Sequence, residues 1–443
     1  MTTARRSRLA CGAALLVLMA SGCGNGAVSR DANTGDAGGS DATAYLTKTC
    51  NRYEPTVGVT DTSIKVGYSG ALGGPFATVG VALWGMQGYF DMVNAKGGVR
   101  GADGKQRKIE VVYKDDQYQV ATTKANVQKL VDDDKVFALL GIVGSSANQA
   151  IRPIVNQGCV PNMFATAGAP ELGDPSYPWA INGPVAVYHG EGLTYANYLK
   201  QHMPQATVAF MSQHDDYGRA EIGSFKDGIA GSQVKIVKEV TFETTDADLS
   251  GQITTLAATK ADVIIVIALG AQMLQSINTI SAHPEWKPQI LTAPISVSQL
   301  SRLNPSAGHG LLTGTSIDVD DPKLAGDPKV ALFRQWVEPV FQKNNVKLPV
   351  SAGVGGWNEA ALFVQCVEKA TAVTRADVMA VARNFKPDRH DIIFMEGLTL
   401  ETGPDDPYLV EGMVISKWDA NTKTLSTVET IDLNGQVKFK SYR

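Results

Sequence analysis

From Ile64 onward, short β-rich runs alternate with helical patterns, and that alternation restricts the fold more than any other feature of the chain. Strands are expected over 64–68, 109–113, 136–140 and 160–164, with helices near 76–96, 121–132 and 148–156 between them. Alternation at this spacing means βαβ units, hence a parallel sheet with helices on both faces. A second series follows Asn182-Gly183-Pro184, with strands over 207–211, 234–240, 263–268 and 289–292 and helices near 186–201, 219–230, 249–259 and 272–282. Within it, Val263-Ile264-Ile265-Val266-Ile267 is apolar without a break, as a central strand buried on both faces should be. After 311–317 the pattern changes to long helices, 329–343 and 358–370, and then to two alternating strands, 414–418 and 424–429. The expected fold class is α/β: two doubly wound parallel-sheet lobes joined by several hinge crossings, near 181–182, near 316–317 and after 398. Lobe 1 would hold 58–181 and 318–398, and lobe 2 would hold 182–317 and 399–443.

At 443 residues, the chain suits two such lobes. Lys and Arg number 40 against 44 Asp and Glu, and there is no basic stripe, which argues against nucleic acid as a partner. No apolar run reaches the ~18 residues of a membrane-spanning helix. Arg5, Arg6 and Arg8 precede an apolar stretch, 9–20, and Ala20-Ser21-Gly22 then leads into Cys23. A charged region, a short apolar region and small residues are the parts of a secretory signal. A Cys directly after Ala-Ser-Gly resembles a bacterial lipobox, so 1–22 is expected to be a lipoprotein signal peptide and Cys23 the acylated residue. Residues 23–57 are expected to carry that lipid on a flexible tether, since 24–43 is rich in Gly, Asp, Ala, Asn and Ser and lacks apolar periodicity.

Export places the remaining cysteines, Cys50, Cys159 and Cys366, in an oxidising compartment. Cys50 lies just before the first expected strand and Cys159 just before the fourth, both on the N-terminal edge of one parallel sheet. A Cys50–Cys159 bridge is therefore expected, with Cys366 a buried thiol in an apolar helix.

The order of these elements, and several local strings, resemble the leucine/isoleucine/valine-type (branched-chain amino acid) solute-binding proteins of ABC importers, in the type I periplasmic binding protein family. The strings are Gly58-Val59-Thr60-Asp61-Thr62-Ser63-Ile64-Lys65-Val66-Gly67, Gly73-Gly74-Pro75, Asn94-Ala95-Lys96-Gly97-Gly98-Val99-Arg100-Gly101, the segment 141–149 with Ser145-Ser146, and Asp215-Asp216-Tyr217-Gly218. They stand in the family's order and reach from Gly58 to about Leu433. The resemblance implies a flytrap that closes on one small ligand. It also implies an extracytoplasmic receptor, lipid-anchored to the outer face of the cytoplasmic membrane or periplasmic, that delivers its ligand to ABC permease subunits. A ligand-sensing domain reporting to a membrane signalling partner is the alternative. The resemblance suggests a hydrophobic or branched-chain amino acid, or a related small carboxylate or amide, as ligand. It further suggests a monomer with no cofactor and no bound metal.

In open α/β sheets, ligands sit outside the carboxyl ends of the strands. That edge here is 69–75, 143–146, 165–169, 213–217, 269–272 and 294–296. Ser145 opens a helix after a strand and a Gly, where free N–H groups can hold a carboxylate; alternatively, Ser145 or Ser146 simply caps that helix. By resemblance, Thr166, Ala167 and Gly168 form the loop that takes the ligand's carboxylate and ammonium, with the family's Thr position falling on Gly168. Tyr217 would close over the ligand from lobe 2, or else pack at a helix start, and Leu269 lies on the same edge. The family's ammonium-pairing Glu falls near Pro294-Ile295-Ser296, where there is no acid, and its gating Tyr falls near Val79. Glu359 or Asp318 could supply the missing acid, or both could be solvated surface carboxylates. Trp357 either lines the cleft or packs between helices.

Signatures of catalysis do not emerge. Gly67-Tyr68-Ser69-Gly70-Ala71 lacks the final Gly of a nucleophile elbow, and there is neither a P-loop nor a dinucleotide fingerprint. The six His never reach zinc-ligand spacing, and His214-Asp215-Asp216 stands at a strand end where Asp commonly caps a helix. The chain is expected not to be an enzyme.

Overall fold

The alternating segments pair into two sheets in the computed structural model, which describes residues 41–442 apart from 318, 321 and 325. The first sheet has the order β2-β3-β1-β4-β5-β6, from β1 (Ser63–Gly70), β2 (Val99–Arg100), β3 (Gln106–Asp115), β4 (Ala138–Leu140), β5 (Asn162–Ala165) and β6 (Ala180–Asn182). All its pairings are parallel except that of the short β2 with β3. Helices α2 (Ala77–Gly80), α3 (Ala82–Ala95), α4 (Val120–Asp132) and α5 (Ser145–Gly158) connect these strands. The single helix expected over 76–96 is thus broken at Val81, and the Tyr68 hydroxyl donates to the Gly80 carbonyl at 3.0 Å just before the break.

The second sheet runs β13-β12-β11-β10-β9-β7-β8, from β7 (Thr207–Gln213), β8 (Lys235–Phe242), β9 (Val263–Ile267), β10 (Gln289–Thr292), β11 (Leu312–Thr315), β12 (Met413–Asp419) and β13 (Thr424–Ile431). Its first five strands in sequence are parallel and its last two antiparallel. The apolar β9 sits between β7 and β10 with every residue buried, which is why it can dispense with polar residues altogether. Helices α6 (Tyr188–His202), α7 (Asp216–Ile229), α8 (Ser250–Ala257) and α9 (Gly270–Ala282) belong to this half.

After β11 the chain returns to the first sheet through α10 (Pro328–Lys343), α11 (Val354–Lys369) and α12 (Arg375–Ala382), and goes back to the second sheet for β12. It therefore passes between the sheets three times, a doubly wound, two-lobed α/β architecture. The contact of α11 with α3 is unusually close. A Cβ on Gly85 would stand 1.7 Å from the Gly353 carbonyl oxygen, and one on Gly356 equally near that of Ala82. Only hydrogen fits at either position. Buried from Gly356 to Val367, α11 is the central helix of the first lobe, as its nearly unbroken apolar sequence requires.

The expected tether stops short of residue 57. Helix α1 (Asp41–Thr47) docks against α12, Leu46 is fully buried, and the Trp179 indole N–H donates to the Leu46 carbonyl at 2.9 Å. Apolar Leu46 and Tyr53 give this stretch something to bury, which the Gly- and Asp-rich sequence before it lacks. A Cys50–Cys159 disulfide ties it to the left-handed C-cap of α5, and Cys366 is a buried free thiol. The signal segment, Cys23 and Asp318 lie outside the described residues.

Candidate ligand-binding cleft

Between the two lobes lies a cleft of about 180 Å³. Its walls combine aliphatic groups such as Val79, Val185 and Ile295 with hydroxyls, two acids, Glu191 and Asp320, and one base, Lys423. The lobes meet at its mouth: the Pro75 carbonyl oxygen would be only 2.7 Å from a Cβ on Gly270, so the first-lobe loop rests against the start of α9.

Glycines at positive φ build the first-lobe side. Gly141 (φ 65°) and Gly144 (φ 94°) turn the chain from β4 into α5. Ser145 is thereby set at the first position of that helix, 2% exposed, with its hydroxyl beside that of Tyr188 but without a well-formed hydrogen bond. It does not cap α5, because no side chain caps that helix. A buried hydroxyl left wholly unpaired costs about 1–3 kcal/mol, and a ligand oxygen would recover whatever part of that the Tyr188 contact leaves. Ser146, one position on, is half-buried.

Tyr217 approaches from the second lobe. It is 2% exposed, its ring lies 4.8 Å from that of Tyr188, and its hydroxyl also lacks a partner. Tyr188 in turn lies beside Ser145, so groups from both lobes converge here. Asp215, two residues before Tyr217, acts locally, its carboxylate accepting from the Gly218 N–H at 3.1 Å to cap α7.

The 166–168 loop is committed to internal contacts. Thr166 and Ala167 carbonyls accept from the Gly144 N–H and Asn182 Nδ2, the Ala167 N–H donates to Ala165, and the Gly168 carbonyl accepts from the Tyr188 N–H at 2.7 Å. A Cβ on Gly168 would lie 2.6 Å from the Tyr188 ring and 2.4 Å from the Ala186 carbonyl. Tyr188 thus fills the space a Thr side chain would need, which explains the glycine at that position. Leu269 is a buried apolar residue at the N-cap of α9 and is not part of the cleft wall.

Two candidates belong elsewhere. Trp357 is fully buried in the first-lobe core, edge-on to Tyr89 at 4.8 Å and Phe333 at 5.6 Å, with its indole N–H donating to the Asp391 carbonyl. Its place between α3 and α10 makes it packing, not cleft wall. Glu359 is neither surface carboxylate nor cleft acid: 1% exposed, it sits behind Thr166 among Gly141, Gly183 and Met86. Thr166 Oγ1 is 2.6 Å from Glu359 Oε1 and 3.2 Å from the Gly141 carbonyl oxygen. A hydroxyl carries one proton, so a protonated Glu359 that donates to Thr166 would leave the Thr166 proton free for the Gly141 carbonyl. Burial favours the same state, pushing the carboxyl up to about 8.

Sequence pattern alone does not single out Glu191 and Glu221. They face one another across α6 and α7, both fully buried, with Glu191 on the cleft wall. The available signal was the run of small residues around them: a Cβ on Gly192 would lie 2.0 Å from Ser224 Oγ, so these helices nearly touch and whatever lies between is desolvated.

Two α/β lobes linked three times, with a cleft walled by both of them, define a binding protein of the hinged, two-lobed class. A family model described as "Periplasmic binding protein" matches residues 63–423, and the chain belongs to that family. The family is one of solute-binding proteins, not enzymes, and the resemblance read from the sequence strings holds on this ground. The Leu/Ile/Val-binding protein of Escherichia coli K12 is 26% identical over 175 residues, 39% of this chain and 46% of that protein. The chain thus spans about half the length of the curated relatives with that name. Among solved structures, a branched-chain amino acid ABC transporter protein from Thermus thermophilus with bound valine superposes with TM-score 0.71 at 18% identity, covering 84% of this chain and 97% of its own. A fatty acid ABC transporter substrate-binding protein from Thermomonospora curvata gives 0.69 at 22% identity, covering 88% and 98%. At these identities, the two structures speak for the fold.

Proposed function

We propose that this chain is the extracytoplasmic receptor of an ABC importer, capturing one small amphipathic solute by closure of its lobes and presenting the closed form to the permease. The observation that carries this reading is one cleft walled by both lobes, with Val79 and Thr166 from the first and Val185, Glu191 and Ile295 from the second, and with the buried Ser145 and Tyr217 both packed against its wall residue Tyr188. A ligand that touches both lobes stabilises only the closed form, and that differential contact drives the hinge. Ser145 with the α5 N-terminus would take a carboxylate, Tyr217 and Tyr188 would cover the ligand, and the aliphatic wall would take a side chain. Small hydrophobic amino acids fit that division, in keeping with the curated relatives' names. Export and acylation at Cys23 would hold the receptor at the membrane; no described helix is long and apolar enough to cross one.

The test is a thermal-shift screen of the mature chain against aliphatic and aromatic amino acids, their amides, and aromatic acids. A saturable shift with one ligand per chain is expected, and no shift with any of them at millimolar concentration would oppose the reading. For the best ligand, Ser145→Ala is expected to weaken binding by about 1–2 kcal/mol, the worth of one hydrogen bond. Calorimetry showing unchanged affinity would remove Ser145 from the site.

A further inference from the structure

We infer that Glu191 and Glu221 form a proton-sharing carboxyl pair that receives a cationic group of the ligand, an ammonium, and gives up a proton as it does so. This rests on the receptor reading above and names the ligand feature that the second lobe selects.

Both side chains are almost wholly excluded from solvent, at 1% and 3%, and each keeps one oxygen, Oε1, without a partner in the protein. The two carboxyls bond to one another, which requires a proton between them. Titratable groups facing the pair are Tyr188 and Tyr195 on α6, Tyr217 on α7 and, beyond them, Tyr118 of the first lobe. Burial holds all four phenols protonated, and no basic side chain acts on either carboxyl among the described residues. The pair is consequently a buried acid without a counter-charge. Burial pushes Glu191 up to about 8 and Glu221 well above its ordinary range.

An ammonium group brings three N–H donors and the missing positive charge. The orphaned Glu191 oxygen on the cleft wall provides an acceptor, and the Tyr217 hydroxyl, on the ring packed against the wall residue Tyr188, provides a second. A carboxylate in the same place would meet only acid. Protein carboxyl and ligand ammonium combine as CO2H plus RNH3+ giving CO2− paired with RNH3+, and the displaced proton passes to the buffer. The partner acid keeps its own proton and continues to donate to the new carboxylate. The ligand would then lie with its carboxylate towards Ser145 and its ammonium towards α6.

Titration calorimetry of the mature chain tests this with L-leucine, its des-amino analogue 4-methylpentanoate and its decarboxylated analogue 3-methylbutylamine, each in two buffers of different ionisation enthalpy. L-Leucine at pH 6.5 is expected to release close to one proton per molecule bound, and its affinity to rise by up to about tenfold for each pH unit between 6 and 7.5. Binding of 4-methylpentanoate should release none and be at least about thirtyfold weaker, as follows from losing one partner of a buried charge pair. Release of a proton by the amine as well would place the effect on the ammonium. Glu191→Gln should abolish proton release and weaken L-leucine to the level of the des-amino acid, and Glu221→Gln should alter the pH profile. Because proton release is read on the unmodified chain, a poorly folding variant does not decide the outcome. Tight binding of 4-methylpentanoate without proton release would overturn the inference and leave the receptor reading intact. If nothing in the series or the wider screen binds, both fail.

Discussion

Exchanging Glu359 for glutamine is expected to raise the stability of the ligand-free protein at pH 8 by about 4–5 kcal/mol while changing it little at pH 4.5. The unfolded chain ionises this carboxyl near 4.5, whereas in the folded protein burial holds it protonated up to about 8. A carboxyl raised by folding adds no penalty below its unfolded value. From there each pH unit lost to ionisation of the unfolded chain removes about 1.4 kcal/mol, until the folded group itself ionises. Glutamine is uncharged in both states and keeps the shape, and its amide N–H can donate to Thr166 Oγ1 as the protonated acid does. Chemical denaturation of both proteins from pH 4.5 to 8.5 checks this. Parallel curves would mean that Glu359 is ionised in the fold, contradicting the neutral state that burial favours.

Removing the Trp357 side chain is expected to cost about 3–5 kcal/mol, the range for a large aromatic cut out of a core. The indole fills the space between α3 and α10 and satisfies the Asp391 carbonyl, so Trp357→Ala leaves both a cavity and an unpaired acceptor. Ligand affinity of the surviving folded protein should stay within about twofold, since the side chain lies outside the cleft wall. A strong loss of affinity with little loss of stability would return Trp357 to the binding site.

Much of the architecture was legible because burial writes itself into periodicity. The apolar run 263–267 could only be a strand covered on both faces, and the alternation around it could only be βαβ. Short elements escaped for the converse reason. β2 and β6 have two and three residues, too few for a period, and α12 is announced only by its cap, the Thr374 hydroxyl accepting from the Asp377 N–H. The strand-end positions of Ser145 and Tyr217 were legible in the sequence, and both side chains are buried there. Glu191 and Glu221 were not, because an acid on a helix reads as solvated unless the neighbouring helix is known to lie within touching distance. Glu359 misleads in the same way: an acid near the start of a largely apolar helix reads as a surface or cleft acid, and tertiary packing buries it in the core, where burial favours its neutral form. Gly168 shows a third kind of failure. Its lack of a side chain follows from Tyr188, twenty residues further on and in another element, which local pattern cannot reveal.

Solution scattering of the mature chain, with and without a saturating ligand from the screen, tests the central claim most directly. A hinged pair of lobes closing on one solute predicts a smaller radius of gyration and a narrower distance distribution with ligand, at one molecule per chain. Unchanged dimensions with the ligand demonstrably bound would contradict capture by closure.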